Sequence, residues 1–345
     1  MTATGTATSQ TLSATRRITG VALASVSGVA VAVQSRINGE LGVRLADGFA
    51  AAVVSFGLGL LVLLVLVPAT PAGRRGLVAL RSALRTGVLR PWQCLGGTCG
   101  AFLVATQGLT IGRLGVAVFT VAVVAGQSGS SLAVDRAGIG PMGRQPVTRQ
   151  RLAGAVLTVL AVVLAVGDRL SDPGSLALAL LPLLAGVGVA WQQAANGRVR
   201  AASGSALTAT LVNFTVGTVA LLVAFSIDLA GRGWPVGHLP SEPWLYLGGP
   251  IGVVFIAIAA TVVRFTGVLL LGLATIAGQV VSAVLLDLVL PTPASHPGVT
   301  TVLGAALTMA AVLVAALAPP ARSRRRPAAD PARVPNAQRG GSPAG

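Results

Sequence analysis

Apolar stretches close to the ~20 residues that a helix needs to cross a bilayer recur along almost the whole of this 345-residue chain. They fall at about 18–37, 48–68, 92–110, 115–134, 152–168, 175–195, 206–227, 244–263, 267–290 and 298–318, bounded by Arg, Pro or Gly clusters. That recurrence excludes a single anchor on a soluble body. A soluble globule is excluded as well, because only 10% of the residues are charged, too few to cover the surface of water-exposed domains of this length. The expected fold class is an all-α polytopic membrane protein with ten transmembrane helices.

The net charge of +16 would suggest nucleic-acid binding in a soluble protein, so its placement matters. All 25 basic residues are Arg. Distributed over ten spans, twenty fall on one side of the membrane, and five (Arg36, Arg44, Arg113, Arg169 and Arg232) fall on the other. Arg-rich short loops stay cytoplasmic, so both termini are expected in the cytoplasm. The charge then reads as a topology signal, and no nucleic-acid partner is needed. Residues 1–15 and 319–345 lack apolar periodicity and read as disordered tails. Arg322, Arg324, Arg325 and Arg326 in the second tail can meet anionic lipid. Arg16-Arg17, the apolar run after them and Ala30-Val31-Ala32 imitate a cleavable signal peptide, a reading the duplication below argues against.

The chain is written twice. Gly28, Gln34, Asn38, Gly39, Phe56 and Gly59 reappear 158 residues later as Gly186, Gln192, Asn196, Gly197, Phe214 and Gly217. Pro91, Trp92, Gly96, Gly97, Gly100, Gly115, Gly126, Gln127 and Asp135 recur at offset 152 as Pro243, Trp244, Gly248, Gly249, Gly252, Gly267, Gly278, Gln279 and Asp287. Two units result, 16–170 and 171–318, each with five spans. An odd number of spans makes the second copy enter the bilayer from the opposite side, the inverted-repeat architecture of carriers that open to each compartment in turn.

The repeated residues suggest their own chemistry. Gly96-x-x-x-Gly100 and Gly248-x-x-x-Gly252 give the third and eighth spans small faces for close helix packing. Gln34/Asn38 and Gln192/Asn196 are i, i+4 pairs, so each pair projects from one helix face. With Gln127 and Gln279, about midway along their spans, these six amides are the candidate substrate-binding residues, since polar groups in spans tend to face the bundle interior. Gln107, Asn213, Gln193 and Ser128 are weaker candidates for which interhelical bonding is the favoured reading, and Trp191 could add an aromatic wall. Asp135 and Asp287 lie eight residues beyond the repeated glutamines and are candidates for proton coupling, Asp287 foremost because apolar residues follow it. Cys94 and Cys99 have neither metal-ligand nor redox-pair spacing, and His238 and His296 are the sole histidines. No metal or other cofactor is expected.

Gln34-Ser-Arg-Ile-Asn38-Gly39-Glu-Leu, Ser55-Phe56-x-x-Gly59, Pro91-Trp92 with Gly96-Gly97, and Ala125-Gly126-Gln127 leading to Asp135-x-x-Gly138 resemble the YdcZ-type branch of the drug/metabolite transporter superfamily, whose members are EamA-like inner-membrane proteins. The resemblance covers roughly 18–318. It implies a five-plus-five inverted-repeat carrier in the bacterial inner membrane, working as a transporter or exporter. Small multidrug exporters of the same superfamily use a glutamate in the first helix for proton exchange. This chain has no acidic residue in its first span, where Gln34 is the principal polar group, so that mechanism does not transfer.

The expectation is a secondary transporter of a small metabolite or drug-like solute. An amide-rich interior without fixed charge suits neutral, zwitterionic or amphiphilic solutes. The alternatives are a passive channel or non-transporting membrane scaffold and, less favoured, a membrane-embedded enzyme. A channel should carry a charge-ringed pore or a filter loop, and an enzyme needs clustered acid, base or metal-binding groups. Expected partners are the solute and membrane lipids, with homodimerisation left open.

Overall fold

In a computed structural model, residues 3–141, 143–144, 147–165, 173–233, 238–291 and 298–316 are described. Among them are nine α-helices: α1 (Ala3–Arg44), α2 (Gly48–Ala69), α3 (Pro71–Arg85), α4 (Gly96–Ala137), α5 (Arg149–Ala165), α6 (Pro173–Ser203), α7 (Ala206–Arg232), α8 (Gly248–Val289) and α9 (Val299–Ala316). No strand occurs among the described residues. Among the described residues, four segments are long and apolar enough to cross a membrane: Gly48–Ala69, Pro91–Ala137, Ala177–Ser203 and Ala206–Gly231.

The segmentation differs from the sequence expectation in two places. The spans at 92–110 and 115–134 follow one another within α4, and those at 244–263 and 267–290 within α8, each element being 42 residues long. Such a helix would rise about 63 Å if straight, twice a bilayer core. In α4 the break falls at Gly115, whose φ of 78° and ψ of 165° end one helix and start another. This conformation is open to glycine and strained for other residues. Helix α1 starts at Ala3, so residues 3–15 extend the first helix where composition reads as a disordered tail. The second tail, 319–345, lies outside the described residues. Finally, α3 is an additional Arg-rich helix that a search for apolar runs passes over.

The packing follows membrane rules. Helices in lipid gain little from hiding apolar surface and associate by close van der Waals contact between small residues. Accordingly Ala24, Ala32, Ala51, Ala52, Ala161 and Ala185 are fully buried, whereas Val65, Ile227 and Leu313 point outward at 68%, 69% and 61% exposure. The most extensive contacts are between α4 and α6 and between α1 and α8, followed by α5 with α9, α1 with α4 and α2 with α7. Each half thus lays its first helix on the long, doubled element of the other.

Local signals repeat along with the residues. Ala46 (φ 50°) and Gly204 (φ 66°), 158 apart, make matching left-handed turns after the first helix of each half. The next residues cap the following helices: Asp47 accepts from Ala50 N at 3.0 Å and Ser205 Oγ accepts from Thr208 N at 3.2 Å. Side-chain oxygens there satisfy N–H groups that the first helical turn leaves without partners.

Candidate functional site

The repeated glycines form two contacts with their roles exchanged between the halves. A Cβ on Gly28 would press on Thr275 O and lie 2.7 Å from Gln279 N; one on Gly186 would press on Val123 O and lie 2.9 Å from Gln127 N. Gly28 corresponds to Gly186, Thr275 to Val123 and Gln279 to Gln127 by the offsets of 158 and 152. At the centre, Phe56 meets its own counterpart Phe214, with ring centroids 4.8 Å apart and planes tilted by 33°. Gly59 faces the Phe214 ring and Gly217 faces the Phe56 ring.

Two amide clusters flank this centre. In the first, Gln34 and Asn38 share a face of α1. Gln34 Nε2 donates to Gly248 O at 2.9 Å, and Asn38 Nδ2 donates to Gln107 Oε1 at 2.7 Å. Gln107 Nε2 donates in turn to Ser35 Oγ at 2.9 Å, and the Ser35 hydroxyl donates to Val31 O at 2.9 Å. Asn38, Ser35 and Gln107 are all buried. The glycines of α8 make this possible: a Cβ on Gly248 would collide with Asn38 Oδ1, and one on Gly252 would lie 2.5 Å from Gln34 Nε2. With no Cβ, the Cα–H of Gly248 faces Asn38 Oδ1, a weak donor for an acceptor that has no conventional partner.

In the second cluster, Gln192 Nε2 and Asn196 Nδ2 both donate to Asn213 Oδ1, at 2.9 and 3.3 Å. Gly100 makes room for Gln192, and a Cβ on Gly96 would lie 3.3 Å from Asn196 Oδ1. The two clusters use equivalent glycines and equivalent amides but different third partners. Asn213 corresponds to Ser55 at offset 158 and takes the part that Gln107 plays in the first half.

The remaining two amides stand apart. Gln127 is half-buried and Gln279 is buried, and neither side chain makes a hydrogen bond to a described residue. Asp287 is buried, and its Oδ1 accepts from Val116 N at 3.1 Å and its Oδ2 from Ala117 N at 2.7 Å. These N–H groups open the second segment of α4 immediately after the Gly115 break, so Asp287 of α8 caps a helix belonging to the other half. Asp135 is half-buried near the end of α4, where Gly138 (φ 70°) closes the helix. At the end of α1, exposed Arg44 bonds Glu40 at 3.0 Å and Glu242 at 3.1 Å. The hydrogen bond to Glu40 and the two carboxylate charges push its guanidinium pKa up.

Sequence reasoning named the six amides and both aspartates. It ranked Gln107 and Asn213 as weaker, although they are the partners that hold three of the six. Their own positions at offsets 152 and 158 carry Ala259 and Ser55, so repetition gave no signal for either.

A profile of the family described as "Putative inner membrane exporter, YdcZ" matches residues 19–164 and 177–314. No curated protein matches the chain. A solved structure described only as a crystal structure of a protein superposes with a TM-score of 0.52 at 19% identity, over 87% of this chain and 98% of the other. At that identity the likeness concerns the fold alone.

Proposed function

Because the chain belongs to the YdcZ-type family of the drug/metabolite transporter superfamily, described as inner-membrane exporters, we propose that it is a secondary transporter of a small metabolite or drug-like solute. It works by alternating access between two inverted five-helix halves, 16–170 and 171–318. The observation that carries this reading is the exchange of partners. Gly28 against Thr275 and Gln279, and Gly186 against Val123 and Gln127, are one contact made twice with the halves swapped. Phe56 against Phe214 is the contact that swapping leaves in place. A two-fold relation between the halves has this signature, and a simple translation does not. With five crossings per half, counting α4 and α8 as two each, the axis lies in the membrane plane.

The engaged amides and the unengaged ones have different tasks on this reading. Gln34 fastens α1 to α8 of the opposite half, Asn38 ties α1 to α4 within the first half, and Gln192 and Asn196 tie α6 to α7 within the second. Gln127 and Gln279, without hydrogen bonds to described residues, offer their amides to the solute. Each amide lost from a solute contact costs about 1–1.4 kcal/mol. Gln127→Ala and Gln279→Ala therefore each raise the half-saturating solute concentration by about five- to tenfold in efflux from cells or proteoliposomes. Saturation unchanged in both variants for every transported solute would remove the proposed binding role.

The inversion has its own test. In a Cys94→Ser/Cys99→Ser background, Ala46→Cys and Gly204→Cys place thiols in the matching turns of the two halves. An impermeant maleimide added outside is expected to label one turn in intact cells and the other after permeabilisation. Labelling of both from the same side would remove the inverted arrangement.

A further inference from the structure

We infer that α3 is a docking site for the headgroups of anionic phospholipids, distinct from the solute pathway. Helix α2 has 22 residues and would rise about 33 Å, close to the ~30 Å of a bilayer core. Thr70 alone separates it from α3: it ends α2 and caps α3 by accepting from Gly73 N at 3.2 Å. The start of α3 is therefore held at the level of lipid headgroups. Its inner face is seated by glycines. A Cβ on Gly73 would press on Val67 O, and one on Gly76 would lie 2.6 Å from Ser205 Cβ at the start of α7.

The outer face is basic and flanked by apolar side chains. At 100° per residue, Arg74, Arg81 and Arg85 fall within about 40° of one another. On one flank lie Leu77 and Leu84, each 37% exposed, and among the arginines lies Val78, 71% exposed. No acidic residue occurs anywhere between Pro71 and Arg90. A shallow groove of about 390 Å³ runs between Arg74, Arg75, Val78, Ala79 and Ser82. One nitrogen of Arg74 is held by Pro68 O at 2.8 Å, which fixes the guanidinium beside the groove and leaves its other donors for a phosphate. An apolar flank with a guanidinium stripe above it is how a helix lies in a membrane interface rich in anionic lipid. The sequence of the second half has no equivalent run: the shorter stretch between α7 and α8 carries no arginine, and Arg232 is the last residue of α7.

The test uses the full purified chain in detergent, titrated with phosphatidylglycerol or phosphatidylcholine and read by native mass spectrometry. The wild type is expected to retain phosphatidylglycerol in preference to phosphatidylcholine. R74Q/R81Q/R85Q is expected to lower phosphatidylglycerol retention by about fivefold or more. V78E, an exposed substitution that leaves the glycine seat intact, lowers it as well by placing a negative charge in the groove. R322Q/R324Q/R325Q/R326Q in the C-terminal tail lowers retention less than the α3 variant does. Equal retention in wild type and both α3 variants, a loss confined to the tail variant, or no preference between the two lipids would each overturn the inference.

Discussion

Asp287→Ala lowers the unfolding free energy by about 3–5 kcal/mol, enough to deplete the monodisperse fraction of purified protein on mild heating. The reason is positional. Gly115 breaks α4 in the apolar interior, and the N–H groups of Val116 and Ala117 have no carbonyl one turn earlier to accept them. Within a bilayer no water takes over that task. The Asp287 carboxylate takes both, and its negative charge sits where the helix dipole is positive. Asp287→Asn keeps one acceptor oxygen but turns an NH2 towards the second N–H, so an intermediate loss of about 1–3 kcal/mol is expected. Thermal midpoints in detergent should rank wild type above Asp287→Asn above Asp287→Ala. Equal midpoints would show that the cap contributes nothing. A proton carried by Asp287, the role its sequence position suggested, would weaken these two bonds by removing the carboxylate's charge.

Gly249→Leu is expected to prevent folding, and Gly249→Ala to cost about 3 kcal/mol or more. A single Cβ there would collide with Ser55 O and lie 2.7 Å from Gly59 N, so α2 and α8 would have to part along a backbone-to-backbone contact. Gly97, its counterpart, meets Asn213 O and Gly217 N in the same way, and Gly97→Ala should be equally damaging. Gly57 is the control, since a Cβ there meets nothing within 4 Å. Gly57→Ala, mid-helix and unobstructed, should raise stability by up to about 1 kcal/mol through helix propensity. Comparing the three alanine variants by thermal midpoint separates close packing from propensity. A Gly57→Ala variant as unstable as Gly249→Ala would remove the packing explanation.

Periodicity and repetition carried the apolar helical segments and the family into view, because both are properties of residues along one helix. What escaped depends on which helices meet. Asp287 was read for its titration since nothing in one helix announces that another breaks opposite it. Gln107 and Asn213 are unrepeated, and their importance comes from Asn38, Gln192 and Asn196 on neighbouring helices of the same half. The continuity of α8 was hidden because Gly267 looks like a loop residue next to Arg264. Helix α3 was within reach: Leu77, Leu80 and Leu84 recur at helical spacing behind Thr70-Pro71, a cap and first-turn pair. Its arginines drew attention to sidedness instead.

The ring pair Phe56–Phe214 restricts how α2 and α7 can move past each other. Each ring lies over a glycine of the opposite helix, so a slide along either axis would drive it against the Cβ-bearing residues on both sides of that glycine. Tilting about the stacked rings leaves both pockets occupied. On the alternating-access reading proposed above, the seam between the halves would serve as a rocker bearing, stiff to axial shear and compliant to rotation.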